Sequence, residues 1–94
     1  MNTNWQPRDV EEKIKAILIS QLGVEAESVA LSDAQTPLLG SGIGLDSVEA
    51  LALIVGLETE FDIEVPDEDL TTELFRSIAT LANYVWQRLM PPTD

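Results

Sequence analysis

A chain of 94 residues has room for one hydrophobic core and not two, because a domain of this size buries only about 60–65% of its unfolded surface. With no cysteine there is neither a disulfide nor a thiolate metal site, and with no histidine the usual nucleophile–histidine triads are out of reach. Seventeen acidic residues against five basic ones give a formal charge of −12, which repels nucleic-acid phosphates and anionic lipid and favours cationic patches on partner proteins.

Along residues 7–22, Val10, Ile14, Ile17, Leu18 and Leu22 recur at three- and four-residue spacing, with Glu11, Glu12, Lys13 and Lys15 elsewhere around the wheel. This predicts an amphipathic helix. Pro7 suits its first turn, Asp9 and Glu11 complement the positive end of its dipole, and Gly23 suits a left-handed cap just past its end. The chain has no basic leader followed by an apolar run, and no apolar stretch approaches the ~20 residues that span a bilayer, so a cytoplasmic protein without a membrane span is expected.

Residues 24–46 keep no period, and Pro37, Gly40, Gly42 and Gly44 argue against a regular element. The expectation is a long, ordered loop with one short helical turn, pinned to the core by Val29, Leu31, Leu38, Leu39 and Ile43. A second long helix is predicted over 47–61, where Asp46 at the N-cap and Glu49 at N3 form a capping box. Ala50, Leu53, Ile54, Leu57 and Phe61 share its core face, while Val48, Ala52 and Val55 form a second apolar strip nearly opposite. Such a helix is either buried on two sides or shows that strip to a partner.

Residues 62–76 read as a turn region in which Pro66, Asp67, Glu68 and Asp69 open a short helix. Ser77 then caps a last helix with Ile78, Leu81, Ala82, Val85 and Leu89 on one face, until Pro91 and Pro92 end it. Trp5 and Trp86 are expected at the core margin. The fold class predicted is all-α: a small antiparallel four-helix bundle, three long helices plus one short, with a long first loop. Residues 1–94 form one domain in this reading, with a core over about 8–89 and frayed ends.

Several chemistries fail on residue type. A lysine base for a catalytic serine would have to be Lys13 or Lys15, and both sit on the charged side of the first helix. A calcium loop counted from Asp62 has Asp67 where the sixth position needs glycine, so no metal site is expected beyond weak divalent binding to an acidic surface. Glycines 40, 42 and 44 lack the lysine of a phosphate-binding loop. Ser47 remains. A serine at a helix start is common and can be structural alone. With Asp46 taking the cap, however, the Ser47 hydroxyl is left to face outward, where a phosphate ester would gain ~0.3–1 kcal/mol from the helix end.

The stretch GLDSVEALALIVGLETEFDIEVPDE, residues 44–68, resembles the acyl carrier proteins, and flanking helices extend the resemblance over about 8–89. The resemblance implies a carrier rather than an enzyme. Ser47 would bear a 4'-phosphopantetheine arm added by a separate phosphopantetheinyl transferase, with acyl groups riding on its thiol as thioesters, and Asp46 would belong to the transferase-recognition motif. It further implies a monomer that docks acyl-loading and acyl-processing enzymes, with basic or mixed basic and apolar patches, on the second long helix. Leu53, Leu57, Val65 and Leu70 are its candidate acyl-pocket residues.

Two positions depart from the family's usual pattern: Val48 stands where leucine is common, and Ala52 where many fatty-acid carriers have an acid. The docking strip Val48, Ala52 and Val55 is therefore apolar in its middle, with Glu49, Glu58 and Glu60 at its edges. That points to a specialised carrier serving a dedicated fatty-acid, polyketide or lipid-modification pathway. Two other readings stay open: an aminoacyl or peptidyl carrier, against which Leu45 before Asp46-Ser47 weighs, and an acidic helical interaction module without a prosthetic group.

Overall fold

The computed structural model describes residues 6–40 and 42–89. Four helices follow in chain order, α1 (Pro7–Ser20), α2 (Ala26–Leu31), α3 (Ser47–Phe61) and α4 (Ile78–Leu89), with a 3₁₀ turn at Asp67–Asp69. The fold is the expected all-α bundle. The frayed ends, Trp5 and the two terminal prolines fall outside the described residues.

α1 begins where Pro7 places it, and the Asp9 carboxylate accepts a 2.9 Å hydrogen bond from the Gln6 N–H. It ends at Ser20, two residues before the predicted limit. There the chain bends, with Leu22 N–H donating to the Ile17 carbonyl and Val24 N–H to that of Leu18 around Gly23, whose φ of +76° is the left-handed conformation expected of it. Val10, Ile14, Ile17 and Leu18 are buried against α4 and α3.

α3 and α4 supply the rest of the core. Ala50, Leu53, Ile54, Leu57 and Phe61 are buried as predicted, as are Ile78, Leu81, Ala82 and Val85, while Leu89 and Trp86 lie half-buried on the core's margin. Each fully buried Leu, Ile or Val contributes about 1.5–3 kcal/mol over its exposed state. Gly56 is also buried, packed so closely on α1 that a Cβ there would stand 3.2 Å from the Ile17 Cγ2.

The first loop departs from expectation in two ways. Its helical turn is a six-residue helix, α2, that leans on α1 through Val29. Leu31 does not pin the loop at all, being 82% exposed, since two residues beyond Val29 on a helix is a rotation of about 200°. The anchors are Val29 and Leu38, both buried, helped by half-buried Leu39 and Ile43.

Backbone hydrogen bonds complete the fastening. Ile78 N–H donates to the Thr36 carbonyl at 3.2 Å and Ala79 N–H to that of Ala34 at 2.8 Å, while Thr80 N–H takes the Ser77 hydroxyl at 3.0 Å. The first amides of α4, which no helix can satisfy internally, thus hold the loop in place. One step earlier, Leu38 N–H donates to the Phe75 carbonyl at 3.2 Å.

Residues 62–77 also bury more than the turn reading implied. Leu74 and Phe75 enter the core, and the predicted short helix is no more than the 3₁₀ turn. α4 clamps this segment: Arg88 donates to the Glu64 carbonyl at 2.9 Å, and the Tyr84 hydroxyl to the Asp69 carboxylate at 2.5 Å. Burial, followed by that hydrogen bond, pushes the Tyr84 phenol up from 10.0 to about 12. A folded-state pKa above the unfolded value means that this contact's stability is fully present below pH 10 and is lost as pH rises from 10 towards 12. Tyr84 is the chain's single tyrosine, so phenolate absorbance should titrate near 12 in the folded protein and near 10.0 in denaturant; equal midpoints would contradict the clamp.

Candidate functional site

The start of α3 is built by its neighbours in sequence. The Asp46 carboxylate accepts from Glu49 N–H at 2.8 Å, and the Glu49 carboxylate accepts from Asp46 N–H at 3.1 Å, closing the predicted capping box. Asp46 is thereby turned onto the helix, and Ala50 N–H to the Asp46 carbonyl is the first backbone bond of the helix. Ser47 and Val48 precede that bond, so their amides face the helix mouth without an internal partner. Ser47 is exposed, and its hydroxyl makes no hydrogen bond to any described residue.

The glycine-bearing loop sets what lies beside it. Ile43 N–H donates to the Pro37 carbonyl at 2.8 Å and Leu45 N–H to that of Leu38 at 3.0 Å, bringing residues 43–45 back against 37–39, with Leu39 and Leu45 bridged in parallel. Gly42 lies on that fold: a Cβ there would sit 1.9 Å from the Pro37 carbonyl oxygen. The tight turn carries Leu45 into the core and delivers Asp46 and Ser47 to the surface.

A cleft of about 290 Å³ opens next to Ser47. It is lined by Leu39 and Leu45 of the loop, Ala50 and Leu51 of α3, and Leu70, Thr71, Thr72 and Phe75 of the segment before α4, and is mostly apolar. Of the residues the resemblance suggested for a pocket, Leu70 lies here. Leu53 and Leu57 have no exposed surface and Val65 almost none, so these three belong to the packed core. The lining residues of the loop went unread because loop residues without a period carry no signal of which turn brings them together.

The strip on α3 is exposed as expected, with Val48 at 74%, Val55 at 59% and Ala52 also in solvent. Leu51, 49% exposed, extends it and also touches the cleft. Its signal was available: 48, 51, 52 and 55 stand at i, i+3, i+4 and i+7. The flanking acids are occupied. Glu49 caps the helix, Glu58 accepts from the Val65 N–H at 2.9 Å, and Glu60 pairs with Lys13 at 3.2 Å. That last pair is solvent-exposed and worth under about 1 kcal/mol.

No helix among the described residues is long and apolar enough to cross a membrane. Removing the cap tests the geometry directly: Asp46→Ala should lower stability by about 1 kcal/mol in urea unfolding, while Asp46→Asn, which keeps an acceptor, should cost less than half of that.

Residues 12–85 match a family model described as a phosphopantetheine attachment site. The chain is also similar to the acyl carrier protein of Akkermansia muciniphila, with 38% identity over 76 residues, 81% of this chain and 88% of that protein.

Proposed function

The chain belongs to the acyl carrier protein family, whose cofactor is phosphopantetheine, and we propose that it holds acyl cargo on a 4'-phosphopantetheine arm esterified to Ser47. The observation that carries this reading is the exposed, uncommitted Ser47 hydroxyl at the first position of α3, beside a cleft. When attached, the arm supplies a thiol that bears the acyl group as a thioester. The residues present fit it. A phosphodiester on Ser47 would meet the amides of the helix mouth and the positive end of its dipole, worth ~0.3–1 kcal/mol. The cleft offers apolar surface to the arm or its cargo, with Thr71 and Thr72 as hydrogen-bonding partners.

The chain acts in this reading as a cytoplasmic monomer and a substrate of other enzymes, first of a phosphopantetheinyl transferase that recognises Asp46-Ser47. Its own contribution is positioning: the capping box holds the serine at the surface, and the folded loop shapes one side of the cleft. Coexpression with such a transferase should add the mass of one arm to the wild-type chain and none to Ser47→Ala. A retained arm on that variant would overturn the assignment.

The partner surface is Val48, Leu51, Ala52 and Val55, with Glu49, Glu58 and Glu60 at its edge. The middle of that surface carries no charge, so a purely basic enzyme patch finds carboxylates to pair with only at its edge. A partner with apolar surface at the centre of its patch fits better, and this supports a specialised carrier of a dedicated fatty-acid, polyketide or lipid-modification pathway. In binding measurements the arm-bearing chain should couple more tightly to a pathway-specific ketosynthase than to the housekeeping one. The reverse order would remove the claim.

A further inference from the structure

Thr71 also lines a second, more polar cleft of about 350 Å³, together with Glu73 and with Thr80, Asn83 and Gln87 of α4. Residues 70–73 thus contribute to both clefts, Leu70 and Thr72 to the one beside Ser47 and Glu73 to the other. Their downstream end is fixed by Leu74 and Phe75 in the core and by the Leu38 N–H bond to the Phe75 carbonyl. Upstream, the nearest fastening to another element is the Tyr84 hydroxyl on the Asp69 carboxylate.

That contact reaches this segment directly. The Asp69 carbonyl accepts from Thr71 N–H at 3.0 Å, so the residue whose carboxylate α4 holds also bonds, through its backbone, the residue that lines both clefts. Tyr84 is itself steadied by the Arg88 guanidinium 5.7 Å above its ring, and Arg88 is tied to the Glu64 carbonyl. Without the hydroxyl, the 3₁₀ turn loses the side-chain hydrogen bond that ties Asp69 to α4.

We propose that Tyr84 is a specificity-determining positioning residue: by holding Asp69 it fixes residues 70–73 as the outer wall of the cleft beside Ser47, and so sets the length of cargo admitted there. The proposal rests on the reading of Ser47 as the point of arm attachment. Released from α4, the segment is free to close on the cleft beside Ser47, which loses depth.

Tyr84→Phe isolates the hydroxyl, since it keeps the ring and the stacking of Arg88. In the unmodified chain, amide exchange at Leu70 and Thr71 should become about tenfold faster, with α1 and α3 unchanged, as expected for loss of a hydrogen bond to a charged group. Unchanged exchange overturns the latch. In the chain carrying acyl arms of graded length, hydroxylamine cleavage of the thioester should show protection stopping at shorter chains in Tyr84→Phe and Asp69→Ala. Asp69→Asn, which retains an acceptor oxygen, should keep the wild-type profile. An identical profile in all variants, or a uniform loss of protection at every length, overturns the specificity role, the latter because it marks a merely structural one. If the wild type takes no arm at Ser47, the underlying reading falls and the cargo role with it, while the exchange result still decides the latch.

Discussion

Everything near Ser47 depends on how the N-terminus of α4 is satisfied. A helix start leaves amides that must find partners outside the helix. Here the carbonyls of Thr36 and Ala34 and the Ser77 hydroxyl supply them. The conformational entropy that the loop loses on ordering is thereby offset by backbone bonds to the core element that carries Ile78 and Leu81. From that tether the chain runs through Leu38, doubles back between Pro37 and Leu45, and presents Asp46 and Ser47 at the surface. The cleft is the space left between this tethered loop, α3 and the segment that α4 clamps from the other end.

The acidity of the chain takes on a different meaning once contacts are known. A charge of −12 suggests broad electrostatic recruitment of basic partners. Many of the carboxylates nevertheless act on their own backbone or on neighbouring side chains. Asp9, Asp46 and Glu49 cap helices, Asp33 accepts from the Gln35 N–H in a turn, Glu58 holds Val65, and Asp69 receives Tyr84. The exposed row of Val48, Leu51, Ala52 and Val55 is therefore apolar surface edged by carboxylates with internal work, and its character as a partner face follows from packing and hydrogen bonding, not from net charge.

The regular elements were legible because periodicity and caps are local. α3 occupies the residues that Asp46, Glu49 and the spacing of Leu53, Ile54 and Leu57 indicated, and its capping box is present in both directions. Where the pattern weakened, so did the reading. α1 stops short of Leu22 because the chain closes around Gly23 there. Leu31, counted as an anchor for being apolar, faces water because the short helix through Val29 rotates it away. Leu74 and Phe75 are core residues inside a segment whose turns hide any period.

The sequence alone determined the three long helices, the cap at Asp46, the exposure of Ser47 and the strip opposite the core face, since each depends on residues within about one or two helical turns of one another. Only the tertiary structure decided which loop residues line the cleft, that Leu53, Leu57 and Val65 lie in closed core, and that Tyr84 reaches Asp69. Those contacts join residues far apart in the chain through turns and backbone bonds. No local pattern encodes such pairings, because the energy that selects them comes from packing the whole core at once.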